Sequence, residues 1–387
     1  MPDLQVRDLT LEDHDAALDV RLRSFGALSG DARTWWDGLF ERTTAARRAL
    51  GVVAGDQLVA MTRIHEYRQL WGGRALPMAG IAGVVVAPEW RGRGVARLLM
   101  VATLARAVEL GDVLSVLFPA VAAPYRRLGW EMAGATSRTS LPAEALRDLR
   151  APEVRVRRAT AADTDQIVEL MRREAALSRY CGPLELTADD VRHLLADSDN
   201  FCYVAPDGFL AYAWDGDDLR VERLVAESTE TTRALWAVVG SGASVVRRVR
   251  TYLPAQDPIH WILDGKAEPE VQEDRWMLRV LDAPTAIAAR GFPAGISVQV
   301  PLELVDPWAD RCDGSFRLRV DDGSGELIPA EVSSGAVTLG PNGLAALYAG
   351  TPMSTLRRSG LAERGSARHD ELLDAAFASR PFMVDSF

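Results

Sequence analysis

The stretch VVVAPEWRGRGVARLLM, residues 84–100, constrains the fold more than any other part of the sequence. Its β-branched start predicts a strand and Pro88 predicts a turn. The RGRGVA run after the turn opens a predicted helix with Val95, Leu98 and Leu99 on one apolar face. Glycines let an anion approach the main chain, and the free N–H groups at a helix start attract it. The stretch therefore predicts an α/β layer with a site for a phosphate-bearing ligand.

Two common phosphate motifs do not fit this loop. A P-loop needs Gly-Lys followed by Ser or Thr, which is absent, and a dinucleotide-binding GxGxxG fails because Arg97 occupies its third small position. The remaining pattern, Arg-x-x-Gly-x-Ala, resembles the pyrophosphate-binding motif of the GNAT superfamily of acetyl-CoA-dependent acetyltransferases. The alternative is an arginine-rich helix start on the surface. By the resemblance, the residues expected to bind acetyl-CoA are Val84, Val85, Val86, Arg91, Gly92, Arg93, Gly94, Val95, Ala96 and Arg97.

A second segment, YRRLGW, follows the next predicted strand and resembles the Y-x-x-x-G-aromatic segment of the same superfamily. In that superfamily the tyrosine lies beside the sulfur of CoA. Acetyl transfer leaves a thiolate that needs a proton, and a phenol with a reference pKa of ~10 can donate it. The resemblance therefore implies that Tyr125 is the general acid. The alternative is a packed, purely structural tyrosine.

The general base is missing from its usual place. Many GNAT enzymes carry a Glu on the strand that leads into the Arg-Gly loop, but residues 78–88, MAGIAGVVVAP, contain no acid. Glu66 is the nearest acid on the preceding predicted strand, and a solvated edge charge is its alternative role. The chain ends on RPFMVDSF, an apolar tail with a free carboxylate. A carboxylate carried into a dry cleft is a candidate base, because burial raises its pKa.

The layout of the whole chain predicts three domains: residues 1–142, 143–283 and 284–387. The second domain restarts at Val154 with the order of the first, a strand, a Thr cap, an acidic first turn and an amphipathic helix, but it lacks the Arg-Gly loop. The third changes to alternating strands and short helices, an α+β texture. The residues thus predict two tandem α/β domains and a C-terminal α+β domain. By resemblance to a known family layout, the first two are GNAT-like, each with a central mixed sheet flanked by helices, and the third is similar to sterol carrier proteins.

This arrangement resembles the Eis (enhanced intracellular survival) acetyltransferases of actinobacteria and their relatives over essentially the whole chain. The resemblance implies that the terminal carboxylate, here that of Phe387, reaches the active site as base opposite Tyr125. It also implies a homohexamer and a wide cleft that acetylates several kinds of amine, aminoglycosides included.

The acceptor site is the less defined half of the prediction. Phe25, Trp35 and Trp36 are candidates for its wall, although a core cluster under the first helix explains them equally well. Asp385 is a candidate for gripping the acceptor amine, because Ser386 beside the terminal residue is uncharged.

Charge and composition narrow the remaining classes. With 54 Asp and Glu against 44 Lys and Arg, the net charge of −10 disfavours nucleic acid as a partner and favours a polycationic amine. The three cysteines form no CxxC pair and have no His at ligand spacing, so we expect no metal site. We expect neither a signal peptide nor a membrane span, and a cytoplasmic location.

Two alternatives stay open at this point. A close one keeps the enzyme but makes the acceptor a lysine of a protein or peptide. The other treats the C-terminal domain as a lipid-binding module on a vestigial GNAT scaffold, with Leu344, Leu347, Leu356 and Leu361 lining a tunnel. Helical spacing favours an ordinary core for these leucines.

Overall fold

The computed structural model describes residues 3–263 and 269–387. The elements of the first domain are β1 (Leu4–Asp8), α1 (His14–Phe25), α2 (Gly30–Ala45), β2 (Ala49–Ala54), β3 (Gln57–Trp71), β4 (Arg74–Val86), α3 (Val95–Glu109), β5 (Leu114–Leu117), α4 (Ala123–Arg126) and β6 (Glu131–Pro142). Those of the second are β7 (Arg157–Arg158), α5 (Thr164–Leu177), α6 (Ala188–Ala196), β8 (Asn200–Ala205), β9 (Gly208–Asp215), β10 (Asp218–Ala226), α7 (Thr229–Gly240), β11 (Arg248–Tyr252), α8 (Ile259–Ile262) and β12 (Glu270–Val280).

The strands of these two domains form one continuous mixed sheet. Its order is β1-β2-β3-β4-β5-β12-β6-β11-β10-β9-β8-β7. Strand β12, the last of the second domain, lies between β5 and β6 of the first, antiparallel to both. The mixed sheet with flanking helices confirms the predicted α/β class, while the boundaries at residues 142 and 283 stay predictions.

Helix α3 covers the sheet beside the predicted loop. Val95 and Leu99 are buried, as expected of its apolar face, and pack on β2 and β3. The prediction was wrong for Leu98, which is 37% exposed. The buried face of α3 continues instead from Leu99 to Thr103, because a helix repeats every 3.6 residues. The Thr103 hydroxyl donates a hydrogen bond to the Leu99 carbonyl at 2.8 Å.

The C-terminal domain contains α9 (Ala283–Ala289), β13 (Val298–Leu304), β14 (Gly314–Asp321), β15 (Ser324–Pro329), β16 (Val337–Leu339), α10 (Pro341–Tyr348), α11 (Met353–Arg358), β17 (Ala362–Arg364) and α12 (Ala367–Phe377). Its strands make a second sheet in the order β15-β14-β13-β16-β17. Helices beside a mostly antiparallel sheet confirm the predicted α+β class. Leu344, Leu347 and Leu356 are at most 3% exposed and belong to the hydrophobic core.

This domain is packed tightly against the large sheet. Tyr348 meets Trp71 at the end of β3 with ring centroids 4.8 Å apart, and Trp71 also contacts Trp276 of β12. Met383 of the C-terminal segment is 1% exposed and belongs to the same core. The packing therefore brings the end of the chain to the large sheet.

Candidate active site

Strands β4 and β5 of the first domain pair over only part of their length. Three parallel pairs join them, the last between Gly80 and Val116, and no further pair joins these two fully described strands. Val85 and Val86 pair with β3 on the other side. The backbone of β4 after Gly80 therefore faces a gap in the sheet. We call this gap, between residues 81–86 and the end of β5, the first split.

The loop after β4 has the geometry of an anion site. Gly92 and Gly94 have φ of 74° and 80°, and a Cβ on either would meet no atom within 4 Å. Gly94 is the N-cap of α3 and provides no side chain to satisfy the first N–H groups of the helix. An uncapped helix start beside two open glycines suits a phosphate group.

The predicted arginines surround this loop. Arg91 donates to the Val86 carbonyl at 3.2 Å. The guanidinium of Arg93 lies over the ring of Trp90 at 5.3 Å, and that of Arg97 lies over Trp308 of the C-terminal domain at 5.7 Å. Both stacked guanidiniums are exposed and keep N–H donors for a diphosphate. The loop thus fits the phosphate end of acetyl-CoA.

Val84, Val85 and Val86 differ in their surroundings. The side chain of Val85 is 2% exposed and packs with the core under α1 and α2. Those of Val84 and Val86 are half-buried and pack near α3. Their backbone groups, rather than their side chains, face the first split.

Tyr125 lies on the other side of this split, on the four-residue helix α4. It packs with Val84, Ala122 and Met132 around a buried cluster, and its ring is 6.5 Å from that of Trp130. Burial raises the pKa of the Tyr125 phenol above its ordinary value. The phenol is therefore protonated at neutral pH, which is the form that a general acid needs.

The C-terminal tail, residues 380–387, is held between the first two domains. The Phe382 N–H donates to the Cys181 carbonyl at 3.0 Å, and the Met383 N–H donates to the Ala135 carbonyl on β6 at 3.1 Å. Glycines make this approach possible. A Cβ at Gly182 would lie 2.1 Å from the Phe382 carbonyl oxygen, and one at Gly134 would lie 2.5 Å from that of Pro381.

Past this contact the tail reaches the first split. The ring of Phe387 lies 5.1 Å from that of Tyr67 on β3 and 5.5 Å from that of Phe118, which directly follows β5. A Cβ at Gly80 would be 2.9 Å from the Phe387 ring. The terminal residue is thus seated where β4 and β5 separate.

Asp385, two residues before the end of the chain, is held by an ion pair. Its Oδ1 accepts an ion-pair hydrogen bond from Arg223 of β10, and its Oδ2 is buried with no hydrogen-bond partner among the described residues. Burial raises the pKa of the Tyr67 phenol to about 12, and the negative charge of Asp385 adds to that shift. Two residues further along the chain, the Phe387 ring packs on that of Tyr67, so Asp385 directly precedes the aromatic cluster.

The three aromatic residues predicted to form the wall of the acceptor site lie in different environments. Phe25 and Trp35 are exposed, at 57% and 58%. Trp36 is 2% exposed and stacks on Phe40 at 5.3 Å, so it is the core residue that the alternative described. The Glu66 side chain is 76% exposed and lies 3.7 Å from Arg48, which fits an edge charge.

The sequence reasoning missed three residues of this region, Arg63, His65 and Tyr67. They alternate along β3, so their side chains share one face of the sheet, and both His65 and Tyr67 contact the Phe387 ring. Residues 62–69, TRIHEYRQ, are polar at most positions, so the alternation of these three side chains gave no distinct signal in the sequence.

A cavity of about 420 Å³ lies beside the tail. Phe382 and Val384 form part of its wall, together with Glu222, Leu224 and Leu253 of the second domain. Burial raises the pKa of two acids in its lining, Glu174 and Asp257. The cavity is thus adjacent to the tail but distinct from the first split, since Gly80, Tyr125 and Phe387 are not in its wall.

Comparisons with known proteins agree with this architecture. Models described as an acetyltransferase (GNAT) domain match residues 5–133 and 187–280, and a sterol carrier protein domain model matches residues 283–384. A crystal structure of a GCN5-related N-acetyltransferase from Kribbella flavida is 47% identical, with a TM-score of 0.97 over 100% of this chain and 99% of that chain.

Two Eis proteins are more distant relatives. N-acetyltransferase Eis of Mycobacterium tuberculosis is 26% identical over 90% of both chains. The crystal structure of Eis1 from Mycobacterium abscessus, 21% identical, has the same fold, with a TM-score of 0.77 and full coverage of both chains. The chain therefore belongs to the GCN5-related N-acetyltransferases, and among them it is similar to the Eis proteins over 90% of its length.

As a member of this family, the protein is an N-acetyltransferase, and such enzymes use acetyl-CoA and an amine acceptor. Within residues 3–263 and 269–387, no group of three or more His, Cys, Asp or Glu side chains is placed to hold a metal ion. No helix in this part of the chain is long and apolar enough to cross a membrane.

Proposed function

We propose that the enzyme transfers an acetyl group from acetyl-CoA to a primary amine at the first split, with Tyr125 as general acid and the Phe387 carboxylate as general base. The position of Phe387 is the observation that supports this proposal most strongly. Its ring is lodged at Gly80, Tyr67 and Phe118, the point at which β4 and β5 separate.

Each group has one task. The loop around Gly94 binds the phosphates of acetyl-CoA, and the open edge of β4 at Val84 and Val86 orients the thioester. The carboxylate of Phe387 takes a proton from the acceptor ammonium, so that the amine can attack the thioester carbon. The tetrahedral adduct then expels the thiolate, which receives its proton from the Tyr125 hydroxyl.

For the acceptor we propose a small polycationic amine, the class that includes aminoglycosides. The net charge of −10 attracts such a molecule over a distance. Close to the site, the free Oδ2 of Asp385 offers a hydrogen-bond acceptor to an ammonium group. Phe25 and Trp35 keep their proposed place at the edge of the acceptor site.

The assembly and location inferred from the family are part of this proposal. We propose a homohexamer in the cytoplasm. Size-exclusion chromatography with light scattering measures the mass of the assembly directly.

Deletion of Phe387 tests the role of the base. Without it the carboxylate belongs to Ser386, one residue short of the split, so kcat should fall roughly 10²–10³-fold. Acetyl-CoA affinity and the unfolding temperature should change little, because the deletion leaves both the Arg91–Gly94 loop and the tail anchor at Phe382 and Met383 in place. Steady-state kinetics, calorimetry and thermal unfolding measure the three quantities.

The matched control is Phe387→Leu, which keeps a terminal carboxylate and an apolar anchor. It should retain most of the activity that the deletion loses. A deletion variant with wild-type kcat would place the base elsewhere.

A further inference from the structure

Arg63 is a buried cation with no ion-pair or hydrogen-bond partner for its side chain among the described residues. It lies in the middle of β3 and keeps only 5% of its surface exposed. Its Nε and Nη1 atoms are buried and have no hydrogen-bond partner among the described residues. Within the same part of the chain, no carboxylate, the terminal one included, lies within 4.0 Å of it. The Nε and Nη1 groups can therefore donate hydrogen bonds, and no acceptor for them lies in residues 3–263 or 269–387.

The surroundings of Arg63 do not neutralise its charge. Burial, together with the positive charge of Arg21 on α1, lowers the Arg63 pKa to about 10, while Tyr67 acts in the opposite direction. The guanidinium lies over the ring of Trp36 at 5.7 Å. At neutral pH Arg63 is still protonated, so the site contains an uncompensated positive charge.

His65, two residues along the same face, adds a second free donor. Burial lowers its pKa to about 4, with help from Arg63 and Arg42, so the ring is neutral at pH 7. Its Nε2 is buried without a partner, and its Nδ1 lies 3.4 Å from the Tyr67 hydroxyl. Since Nδ1 can accept from Tyr67, Nε2 is free to carry a hydrogen and donate it.

Unpaired buried groups such as those of Arg63 and His65 lower the stability of the folded protein unless a ligand pairs with them. A buried ion without a counter-charge is strongly destabilising, and buried polar groups in folded proteins are almost always hydrogen-bonded. Arg63 and His65 are unpaired together, on the strand face that meets the terminal Phe387. The group that completes them must be an anion with at least two acceptor atoms, which describes a carboxylate.

The position of Arg63 identifies the molecule that brings this anion. A Cβ at Gly83 would lie 3.4 Å from the Arg63 Nη2, so the guanidinium stands beside β4 at the residue that precedes Val84, ahead of the phosphate loop. Tyr67 connects the two groups: its hydroxyl lies 3.4 Å from the Nδ1 atom of His65, next to Arg63 on the same strand face, and its ring lies 5.1 Å from that of Phe387, two residues after Asp385. A carboxylate at Arg63 and an ammonium at Asp385 can thus belong to one small acceptor.

We infer that the acceptor is an amine that also carries a carboxylate, such as a basic amino acid or a short basic peptide, with Arg63 and His65 binding its carboxylate. This inference rests on the proposed function and narrows it. Basic amino acids are cationic at their side chains, so they suit the negative net charge of the protein. An aminoglycoside has no carboxylate and leaves Arg63 unpaired.

Lysine and cadaverine test the inference, because they differ only in the carboxylate. The wild-type enzyme should acetylate lysine with a kcat/KM roughly 10–100-fold above that for cadaverine, the range expected for a charge-assisted bidentate contact. In Arg63→Met this ratio should fall to about one, mainly through a higher KM for lysine. The rate with cadaverine should change by less than about threefold.

A second readout does not depend on turnover. Replacing an unpaired buried charge by an apolar side chain of similar length should leave the unfolding temperature of the free enzyme unchanged or raise it. Lysine should raise the unfolding temperature of the wild type, and Arg63→Met should lose that shift. A lower unfolding temperature of the free variant would mean that Arg63 has a structural partner and would overturn the inference.

The other outcomes are also decisive. Equal turnover of lysine and cadaverine, or a preference that survives in Arg63→Met, overturns the inference and leaves the proposed transferase intact. Equal loss of both rates in the variant assigns Arg63 to the tail or the donor instead. If added acetate raises the turnover of cadaverine by the wild-type enzyme to that of lysine, Arg63 binds a separate anion and not a carboxylate of the acceptor, which overturns the inference. If wild type acetylates neither amine nor kanamycin, the proposed function itself fails.

Discussion

The first two domains begin alike. In the first, the Asp13 carboxylate accepts the Thr10 N–H at 2.8 Å and pairs with Arg7 at 2.6 Å. In the second, Asp163 accepts the Thr160 N–H at 2.8 Å and pairs with Arg157 at 2.6 Å. The same capped turn opens both domains, which is what an internal duplication predicts.

They diverge at the helix that follows the central strand. The N-cap of α3 is Gly94, which has no side chain to accept a hydrogen bond. The N-cap of α7 is Ser228, whose hydroxyl accepts the Thr231 N–H. Glu230 also places a negative charge in the first turn of α7. A helix start that caps itself and carries an acid repels an anion, so the second domain has lost the means to bind a diphosphate.

The catalytic position diverges as well. After β5 the chain reads Phe-Pro-Ala and then enters α4 with Pro124 followed by Tyr125. After β11 it reads Leu-Pro-Ala and then enters α8 with Pro258 followed by Ile259, which is fully buried. An apolar residue thus occupies the place that corresponds to Tyr125, the proposed general acid.

The second domain keeps a gap between two of its strands that is like the first split. Strands β10 and β11 share three parallel pairs, ending at Val221 and Thr251, just as β4 and β5 do. The cavity lined by Phe382 and Val384 lies where they separate. The tail therefore borders both splits, and the comparison indicates that the second domain now serves to hold the tail that completes the first.

The largest expected effect comes from removing the acid that distinguishes the two domains. Tyr125→Phe should lower kcat roughly 10²–10⁴-fold with acetyl-CoA affinity nearly unchanged. Because burial raises the Tyr125 pKa, wild-type kcat should not fall on the alkaline side until the pH exceeds about 10. Steady-state kinetics against pH measure both quantities, and near-normal turnover of the variant would remove Tyr125 from the mechanism.

A small effect should come from the self-capped helix of the second domain. Ser228→Ala removes the acceptor for the Thr231 N–H and should lower stability by about 1 kcal/mol. Activity per folded molecule should stay the same, since α7 binds no substrate. Denaturant unfolding and kcat measure the pair of effects, and a loss of activity without a loss of stability would contradict the assigned role of this helix.

The local parts of this architecture could be predicted from sequence. The strand, the loop around Gly94 and helix α3 follow from short-range patterns, and they carry the family resemblance. Trp36 and Leu98 show the limit, because side-chain burial depends on what packs on a helix and not on its periodicity alone.

The long-range parts could not be read from the sequence. Nothing in the sequence near β12 indicates that this strand is inserted between β5 and β6, because strand order is set by contacts between distant segments. The Arg63 site was missed for a related reason. Arg63 stands among other polar residues in TRIHEYRQ, and it is recognised as buried and unpaired only when its spatial neighbours are known.

The stoichiometry of acetyl-CoA binding tests the division of labour between the two domains most directly. Calorimetry should give one molecule of acetyl-CoA per chain. Gly94→Asp should weaken that binding at least roughly tenfold, because it places a negative charge at the start of α3. The uncharged control Gly94→Asn, similar in size and also tolerant of positive φ, should weaken it less. Two molecules per chain, or undiminished binding by Gly94→Asp, would contradict the account.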